Sequence, residues 1–314
     1  MTTVFKKAWD IPVKKGQYIF PKTIHRPKAL LGVIGLFFNT YGRLFPNRAA
    51  KVAYHLIFSP RKKAIHGFNP ATAPIPTKER SFRSDEGTLL KAYQWGKSNK
   101  TALLIHDWEM ESSSLFQFVK PLLEKGFQVI AIDAPAHGCS EGTTICLPRY
   151  GRAIAHIINH ELDSVHTIIS HGIGSPSASF ALRKVDPSIK VENLVLVSSP
   201  NDITRQLDKF SKLLSLPKSV KSKFFQLLEK IGQAKLKEFD TTDGFHQTNV
   251  KKVLVVHDKD SNLYSYQEAR DNFFAWANAS LLSTENLGHF GPIQHPLVVE
   301  NIVEFIDQEQ VVLN

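Results

Sequence analysis

The sequence predicts an α/β fold with a mostly parallel sheet of about eight strands and helices on both faces. From residue 80 onward, short apolar runs alternate with stretches of helical period. Runs such as ALLIH (102–106) and VLVVH (253–257) are apolar at every position but the last, as expected of strands covered on both faces. Two further observations support this class: a hairpin pattern near residue 85, and a helical stretch that interrupts the alternation.

The order of the elements follows from the local sequence. SFRS and LLKAYQW flank the turn DEG, which predicts an antiparallel hairpin at the start of the sheet. Six further strands are expected at 102–106, 127–133, 165–169, 194–198, 253–257 and 280–282. Helices are expected at 114–126, 148–161, after the strand at 165–169, and at 266–277 and 296–309. The Lys-rich stretch 201–249 has a helical pattern and no clear strand, which predicts a helical cap over the carboxyl ends of the strands.

A basic N-terminal extension, residues 1–78, precedes the main domain, residues 79–314. Residues 1–65 contain thirteen Lys and Arg side chains and one acid, so their charge is +12, and the remainder of the chain carries −2 of the total of +10. Prolines predict an irregular start over residues 1–28. Residues 29–45 and 47–58 are predicted to form two helices separated by Pro46, followed by a Pro-rich linker at 69–77.

The apolar run ALLGVIGLFF (29–38) in this extension is too short to cross a bilayer core of about 30 Å as a helix. The first interpretation is a helix packed on the main domain, and the second is a peripheral membrane contact through residues 1–65. We expect no nucleic-acid partner, because no recognised motif accompanies the charge. The two cysteines form no disulfide framework, so we expect a cytoplasmic protein, with membrane-peripheral attachment as the alternative.

Four motifs occur in an order that is familiar from one fold family. They are LLIHDW (103–108), IDAPAHGCSEG (132–142), SHGIG (170–174), and VVHDKDSNLYSYQEA followed by LGHF (255–290). On these motifs the chain from residue 80 to its end resembles α/β-hydrolases of the serine-hydrolase type. The resemblance implies a sharp strand–turn–helix elbow that presents a nucleophile, an oxyanion hole beside it, and a histidine oriented by an acid.

The elbow motif departs from that family at its centre. Matching SHGIG to the pattern places Gly172 at the nucleophile position, where it supplies no attacking oxygen. Glycine also removes the strain that a positive φ imposes on other residues. Ser170 and Ser175 are the neighbouring hydroxyls that could act as a displaced nucleophile.

The acid position departs as well, whereas the histidine is retained. The resemblance places His289 at the general-base position and Ser261 at the position of the carboxylate. A serine cannot stabilise an imidazolium as a carboxylate does. A shift of the loop by one residue would instead bring Asp260 into place, so both assignments remain open.

The oxyanion region carries a third departure. Asp107 stands in HDW where the family usually has glycine, and the backbone amides of Trp108 and Ile173 are the expected donors. A carboxylate beside that hole would repel a developing oxyanion. His106 and His171 lie at the neighbouring strand ends, but no HxH or HExxH spacing occurs, so we expect no metal. We expect no other cofactor, since no phosphate-binding glycine motif is present.

These substitutions lead to one main hypothesis and two alternatives. The main hypothesis is a pseudoenzyme, an α/β-hydrolase-fold protein with a degenerate triad that binds a small molecule or a protein in the cleft under the cap. Trp108, Ile145, Leu147 and Phe290 are candidates to line that cleft, with plain packing as the competing interpretation. The first alternative is a weak esterase or acyl hydrolase that uses His289 with a displaced serine or Asp260. The second is a membrane-surface scaffold that works through its N-terminal segment.

Overall fold

The computed structural model describes residues 6–13, 28–60, 74–242 and 249–308. Within these residues a single nine-stranded sheet has the strand order β1-β9-β8-β7-β6-β4-β5-β3-β2. The strands are β1 (Ala8–Asp10), β2 (Lys78–Arg83), β3 (Leu89–Trp95), β4 (Thr101–Ile105), β5 (Gln128–Ile132), β6 (Thr167–His171), β7 (Val191–Val197), β8 (Val250–Asp258) and β9 (Ala279–Thr284). Strand β3 is antiparallel to β2 and β5, and every other pair in the sheet is parallel. The predicted mostly parallel sheet is therefore confirmed.

Helices cover both faces of the sheet, as expected. They are α1 (Lys28–Asn39), α2 (Tyr41–Leu44), α3 (Pro46–Phe58), α4 (Val119–Glu124), α5 (Leu147–His160), α6 (Gly174–Leu182), α7 (Ile203–Leu213), α8 (Lys218–Gly232), α9 (Tyr266–Ala275) and α10 (Pro296–Asp307). Apolar side chains of α5, α6 and α9 pack on one face, and those of α4 and α10 pack on the other. None of the helices in the described ranges is long and apolar enough to cross a membrane.

The ninth strand corrects the expected count of about eight, and it lies in a segment predicted to be irregular. Strand β1 pairs in parallel with β9 at the edge of the sheet, with Ala8 opposite Leu281. Its flanking backbone joins the same ladder, because Ile11 N donates to Ser283 O at 2.9 Å. Three residues are too few for a periodic pattern, and their partner strand lies some 270 positions later in the chain, so local sequence carries no signal for this pairing.

The N-terminal helices and the cap form one packed layer. Phe38 of α1 and Ala53 of α3 belong to the same apolar cluster as Val220 and Phe224 of α8. The first predicted helix is interrupted at Thr40, and Pro46 begins α3 rather than lying outside it, since proline fits the first turn of a helix. The segments 61–73 and 243–248, which include parts of the predicted linker and cap, lie outside the described residues.

Candidate active site

The elbow between β6 and α6 has glycine at its tip. Gly172 has a φ of +51°, a left-handed conformation that other residues adopt at a cost. Its N–H donates to Val197 O at 3.0 Å, and its carbonyl accepts from Ser175 N at 3.1 Å. Gly174 allows close packing, because a Cβ there would lie 2.6 Å from His106 O. The local backbone is therefore a sharp strand–turn–helix elbow, with no side chain at the position where the resemblance implies a nucleophile.

The side chain of Asp107 lies where the resemblance implies an oxyanion hole. This residue follows β4, and its Oδ1 accepts hydrogen bonds from Trp108 N and Ile173 N, each at 2.7 Å. These are the two amides that the resemblance implied as oxyanion donors. The carboxylate is 3% exposed, so it is held inside the protein. The hole therefore already holds a negatively charged oxygen supplied by the chain itself.

The second oxygen of the same carboxylate contacts the retained histidine. Oδ2 of Asp107 lies 2.8 Å from Nε2 of His289, a residue that is 3% exposed. In a serine hydrolase this nitrogen faces the nucleophile, and the other ring nitrogen faces the acid. Among the described residues, Nδ1 of His289 has no hydrogen-bond partner. Asp107 thus takes the place of the nucleophile's oxygen with Oδ2 and the place of the oxyanion with Oδ1.

The space for this carboxylate exists because residue 172 is a glycine. A Cβ built on Gly172 would lie 2.1, 2.2 and 2.3 Å from Cγ, Oδ1 and Oδ2 of Asp107. Non-bonded heavy atoms do not approach so closely, so any side chain at 172 would have to displace the carboxylate. The two departures from the family pattern are therefore parts of one arrangement.

The surrounding groups keep Asp107 ionised. Burial alone would raise the pKa of its carboxyl, but the hydrogen bond and the electrostatic interaction with His289, followed by the interactions with His171 and with the Ile173 amide, lower that pKa to about 2. A carboxylate that accepts several hydrogen bonds in a buried site is a fixed anion at neutral pH. It would oppose any second negative charge forming in the same hole.

His171 packs against His289 and supports its backbone. Nε2 of His171 donates to His289 O at 3.1 Å, and the two rings are tilted by 34° with their centroids 4.6 Å apart. Ser198 Oγ donates to the same carbonyl at 2.9 Å. Burial, followed by the neighbouring charge of His289, lowers the pKa of His171 to about 3. His171 is therefore neutral, and it fixes the loop that carries His289.

Asp107, His171 and His289 are also the described residues whose side chains could together bind a metal ion. One ligand atom from each lies within 4.8 Å of the others. Ligand atoms bound at about 2.1 Å in tetrahedral geometry lie about 3.4 Å apart, however. The 2.8 Å between Asp107 and His289 is a hydrogen-bond distance, so an ion would first have to separate this pair. The arrangement fits a hydrogen-bonded pair better than a metal centre.

In the described part of the chain, neither residue proposed for the acid position forms a hydrogen bond with His289. Oδ2 of Asp260 accepts from Asn286 N at 2.7 Å, and the buried Oγ of Ser261 has no hydrogen-bond partner. The carboxylate that anchors this region is Asp258, at the end of β8, which the sequence reasoning missed. It accepts hydrogen bonds from Leu287 N at 3.0 Å, Gly288 N at 2.9 Å and Thr284 Oγ1 at 2.7 Å. Its position directly after the apolar run VLVVH was the available signal.

The neighbouring serines are engaged elsewhere. Ser170 Oγ donates to Val195 O at 2.9 Å, and Ser175 Oγ donates to Ser170 O at 3.2 Å. Both residues are fully buried. Among the described residues, the ring of His289 has its one hydrogen bond with Asp107 rather than with a hydroxyl or thiol.

His106 ties together the loops that follow β4 and β5. Its Nδ1 donates to Asp107 O at 2.7 Å, and its Nε2 accepts from Ala134 N at 2.9 Å. Burial lowers the pKa of this imidazole, which is consistent with the neutral tautomer that these two bonds require. His106 is therefore a positioning residue for the backbone of Asp107.

Apolar side chains fill the space above the elbow. The Trp108 ring meets Phe58 of α3 edge-on at 6.0 Å, and Phe58 lies 6.2 Å from Phe224 of α8. Of the candidate lining residues, Ile145 and Leu147 are buried in apolar clusters, while Trp108 and Phe290 are partly buried beside them. Two surface cavities of about 440 and 190 Å³ lie elsewhere, the first along α8 and the second beside the β2–β3 turn.

Comparison with known proteins identifies the architecture. No protein-family model and no curated protein matches the sequence. An esterase from Pyrococcus furiosus superposes with a TM-score of 0.59 at 18% identity, over 79% of this chain and 96% of the esterase. The mouse α/β-hydrolase domain-containing protein 10 gives a TM-score of 0.59 at 9% identity, over 74% of this chain and 97% of that chain. The chain has the α/β-hydrolase fold.

A membrane phospholipase A, described as a bacterial virulence factor, covers more of the chain. Its TM-score is 0.55 at 18% identity, over 89% of this chain and 98% of the phospholipase. Identities this low show the shared α/β-hydrolase fold alone. The activity of this chain has to be argued from the contacts of Asp107, Gly172 and His289.

Proposed function

We propose that this α/β-hydrolase-fold protein is not a serine hydrolase and that it acts by binding a ligand or partner without turnover. One observation carries the proposal: the carboxylate of Asp107 lies between the oxyanion donors and His289, where the reacting groups of a hydrolase would be. A carboxylate placed in this way imitates a bound acid product. An ester carbonyl cannot enter the same hole while Asp107 remains there.

Two further observations support the absence of acyl transfer. Gly172 supplies no oxygen, so no acyl-enzyme can form at the elbow. His289 lacks a carboxylate at Nδ1, so nothing there would stabilise its protonated form during catalysis. A buried negative charge in the oxyanion hole works against the electrostatic stabilisation on which acyl transfer depends.

The competing function is weak ester hydrolysis through a displaced serine. It requires Ser170 or Ser175 to leave its present hydrogen bonds and reach the imidazole. Both hydroxyls are fully buried and bonded to backbone carbonyls, so this would require the elbow to rearrange. The Asp107 carboxylate would have to move as well.

Two assays test the proposal directly. A fluorophosphonate probe should leave the wild-type protein unlabelled while labelling an active esterase in parallel. Residual hydrolysis of p-nitrophenyl acetate should be the same for wild type, His289→Gln and the matched surface variant His160→Gln. Labelling mapped to Ser170 or Ser175 would contradict the proposal. So would a loss of hydrolysis in His289→Gln that His160→Gln does not show.

A gain-of-function variant tests the steric part of the same proposal. Asp107→Gly empties the oxyanion hole, Gly172→Ser supplies the hydroxyl, and Ser261→Asp supplies an acid at the position that the resemblance implies. The triple variant should react with the fluorophosphonate, whereas Gly172→Ser with Asp107 retained should not. Equal labelling of both variants would show that Asp107 does not close the site.

A further inference from the structure

The outward face of α1 is apolar and has no partner among the described residues. Leu30, Val33 and Leu36 are 47%, 66% and 65% exposed, although Phe38 on the inward face is fully buried. Residues 29–38 contain no charged or strongly polar side chain. A helix that is apolar all round normally has its second face covered as well. The outward face of α1 is therefore a candidate interaction surface.

The apolar surface continues into the elements next to α1. Leu44, the last residue of α2, and Phe45, which follows it, are 76% and 46% exposed. The end of α7 lies beside α1, since Asn39 Nδ2 donates to Ser215 O at 3.1 Å. Phe210 and Leu213 in α7 are 42% and 49% exposed. Clusters of exposed large side chains on a soluble domain mark interaction surfaces, whereas isolated ones are ordinary.

Cations accompany this surface, and no carboxylate occurs in its N-terminal part. Residues 28–60 contain no Asp or Glu. Exposed cations on and next to these elements include Arg43 of α2, Arg48 and Lys51 of α3, Lys212 of α7 and Lys218 of α8. Within the described part of the chain, none of the five forms an ion pair with a carboxylate. Arg48 instead lies over the ring of Phe45, with Cζ 5.6 Å from the centroid.

We propose that this surface, formed by α1, α2 and the end of α7, binds the interface of a bilayer that contains anionic lipids. Leu30, Val33 and Leu36 would enter the boundary between headgroups and acyl chains, and the surrounding cations would contact lipid phosphates and carboxylates. Helix α1 has twelve residues and is about 18 Å long, so it lies along the surface and does not span it. This proposal does not depend on whether the candidate active site is inert.

Charge complementarity favours a lipid surface over a second copy of this chain. Two copies that met through this face would bring the five cations of each copy close to those of the other, with no acid from residues 28–60 to compensate. Like charges brought together in this way oppose association. An anionic bilayer presents the opposite charge together with an apolar layer beneath it. Both components of the surface are then matched by one occupant.

Co-sedimentation of the full chain with vesicles tests the proposal. Wild-type protein should bind phosphatidylcholine vesicles that contain about 30% phosphatidylserine more tightly than vesicles of phosphatidylcholine alone. Binding should weaken when the salt concentration rises from about 0.1 M to about 0.5 M, because the cations are exposed. Val33→Glu/Leu36→Glu should lower vesicle affinity by about tenfold or more. Arg43→Gln/Lys51→Gln should weaken binding to the anionic vesicles alone.

Matched variants separate this effect from a general change in charge or stability. Phe274→Glu/Leu297→Glu alters two other exposed apolar residues, on α9 and α10, by the same charge and should bind as wild type does. Equal melting temperatures of the two Glu pairs would show that both proteins are folded. Vesicle binding that is absent in wild type, or unchanged in Val33→Glu/Leu36→Glu, would overturn the proposal. A wild-type dimer that this variant converts to monomer in sedimentation velocity would also overturn it, by assigning the surface to a second copy.

Discussion

The carboxylate of Asp107 occupies the volume that a side chain on residue 172 would need, since a Cβ built on Gly172 would lie 2.1 Å from Cγ of Asp107. The two residues lie in loops that follow different strands, β4 and β6. The loop after β4 has a carboxylate where the resemblance implies glycine, and the loop after β6 has glycine where the resemblance implies the nucleophile. The same carboxylate then binds both oxyanion-hole amides and His289. The consequences can be measured as stability and as activity.

Adding a methyl group at 172 should destabilise the protein through Asp107. We expect Gly172→Ala to lower the free energy of unfolding by about 3 kcal/mol, of which about 1–2 kcal/mol comes from the positive φ. Gly126→Ala is the matched control, because Gly126 has a φ of +77° and open space around its Cβ position. In an Asp107→Gly background the excess over Gly126→Ala should disappear. Urea denaturation of the four-variant cycle measures this coupling, and additive effects would contradict the steric relationship.

Buried neutral histidines should make the protein less stable in mild acid. Burial lowers the pKa of His171 to about 3 and the pKa values of His137 and His257 to about 4. Below a pH of about 6.5 the unfolded chain binds protons that the folded chain excludes, so the free energy of unfolding falls as pH falls. Each site contributes about 1.4 kcal/mol per pH unit in this range.

Urea unfolding at a series of pH values between 7 and 5 checks this expectation. His171→Asn removes one of these sites and should reduce the slope by up to about 1.4 kcal/mol per pH unit. His160 is exposed, so His160→Asn should leave the slope unchanged. A stability that is flat over the same interval would mean that these imidazoles are not held neutral.

Asp258 should contribute more to stability than Asp260, the residue that the sequence analysis gave as an alternative for the catalytic acid. Asp258 accepts four hydrogen bonds, from Thr284, Leu287, Gly288 and Asp260, and it is fully buried. We expect Asp258→Asn to cost about 3 kcal/mol, because at least one buried donor loses its acceptor. Asp260→Asn should cost about 1 kcal/mol. Equal losses in thermal or urea unfolding would contradict this ranking.

The N-terminal helices should unfold together with the main domain. Phe58 of α3 is 7% exposed and contacts both Trp108 and Phe224. Phe58→Ala should lower the free energy of unfolding by about 3–4 kcal/mol, as for other buried phenylalanines. Phe274→Ala, at a site that is 61% exposed, should change it by less than about 1 kcal/mol. A separate early transition for residues 28–58 in hydrogen exchange would argue against a shared core.

The sequence was sufficient for most of the fold, because the signals for its core strands are local. Continuously apolar runs such as VLVVH predict strands that are buried on both faces, and the elbow motif predicts the junction of β6 and α6. Strand β1 could not be found in this way, because the described strand with which it pairs, β9, is remote in the chain. The shared core of α3 and α8 likewise depends on contacts between residues more than 150 positions apart.

The site was predictable residue by residue but not as an arrangement. The motifs indicated Gly172, His289 and Asp107 separately, and Asp107 was interpreted as a charge that repels an oxyanion. Its side-chain direction depends on how the loops after β4 and β6 face each other, which a sequence pattern does not specify. In the folded protein this carboxylate accepts from the Ile173 amide and contacts the imidazole of His289.

The packing of the Asp107 carboxylate against Gly172 also limits the series of single mutations that could lead to a serine hydrolase. A serine restored at 172 alone meets the carboxylate, and a glycine restored at 107 alone leaves two amides and an imidazole without their shared acceptor while supplying no nucleophile. Each first step is therefore a loss, and any gain requires both. Natural variation that changes one codon at a time would tend to preserve the pair, so the packing of Asp107 against Gly172 maintains itself.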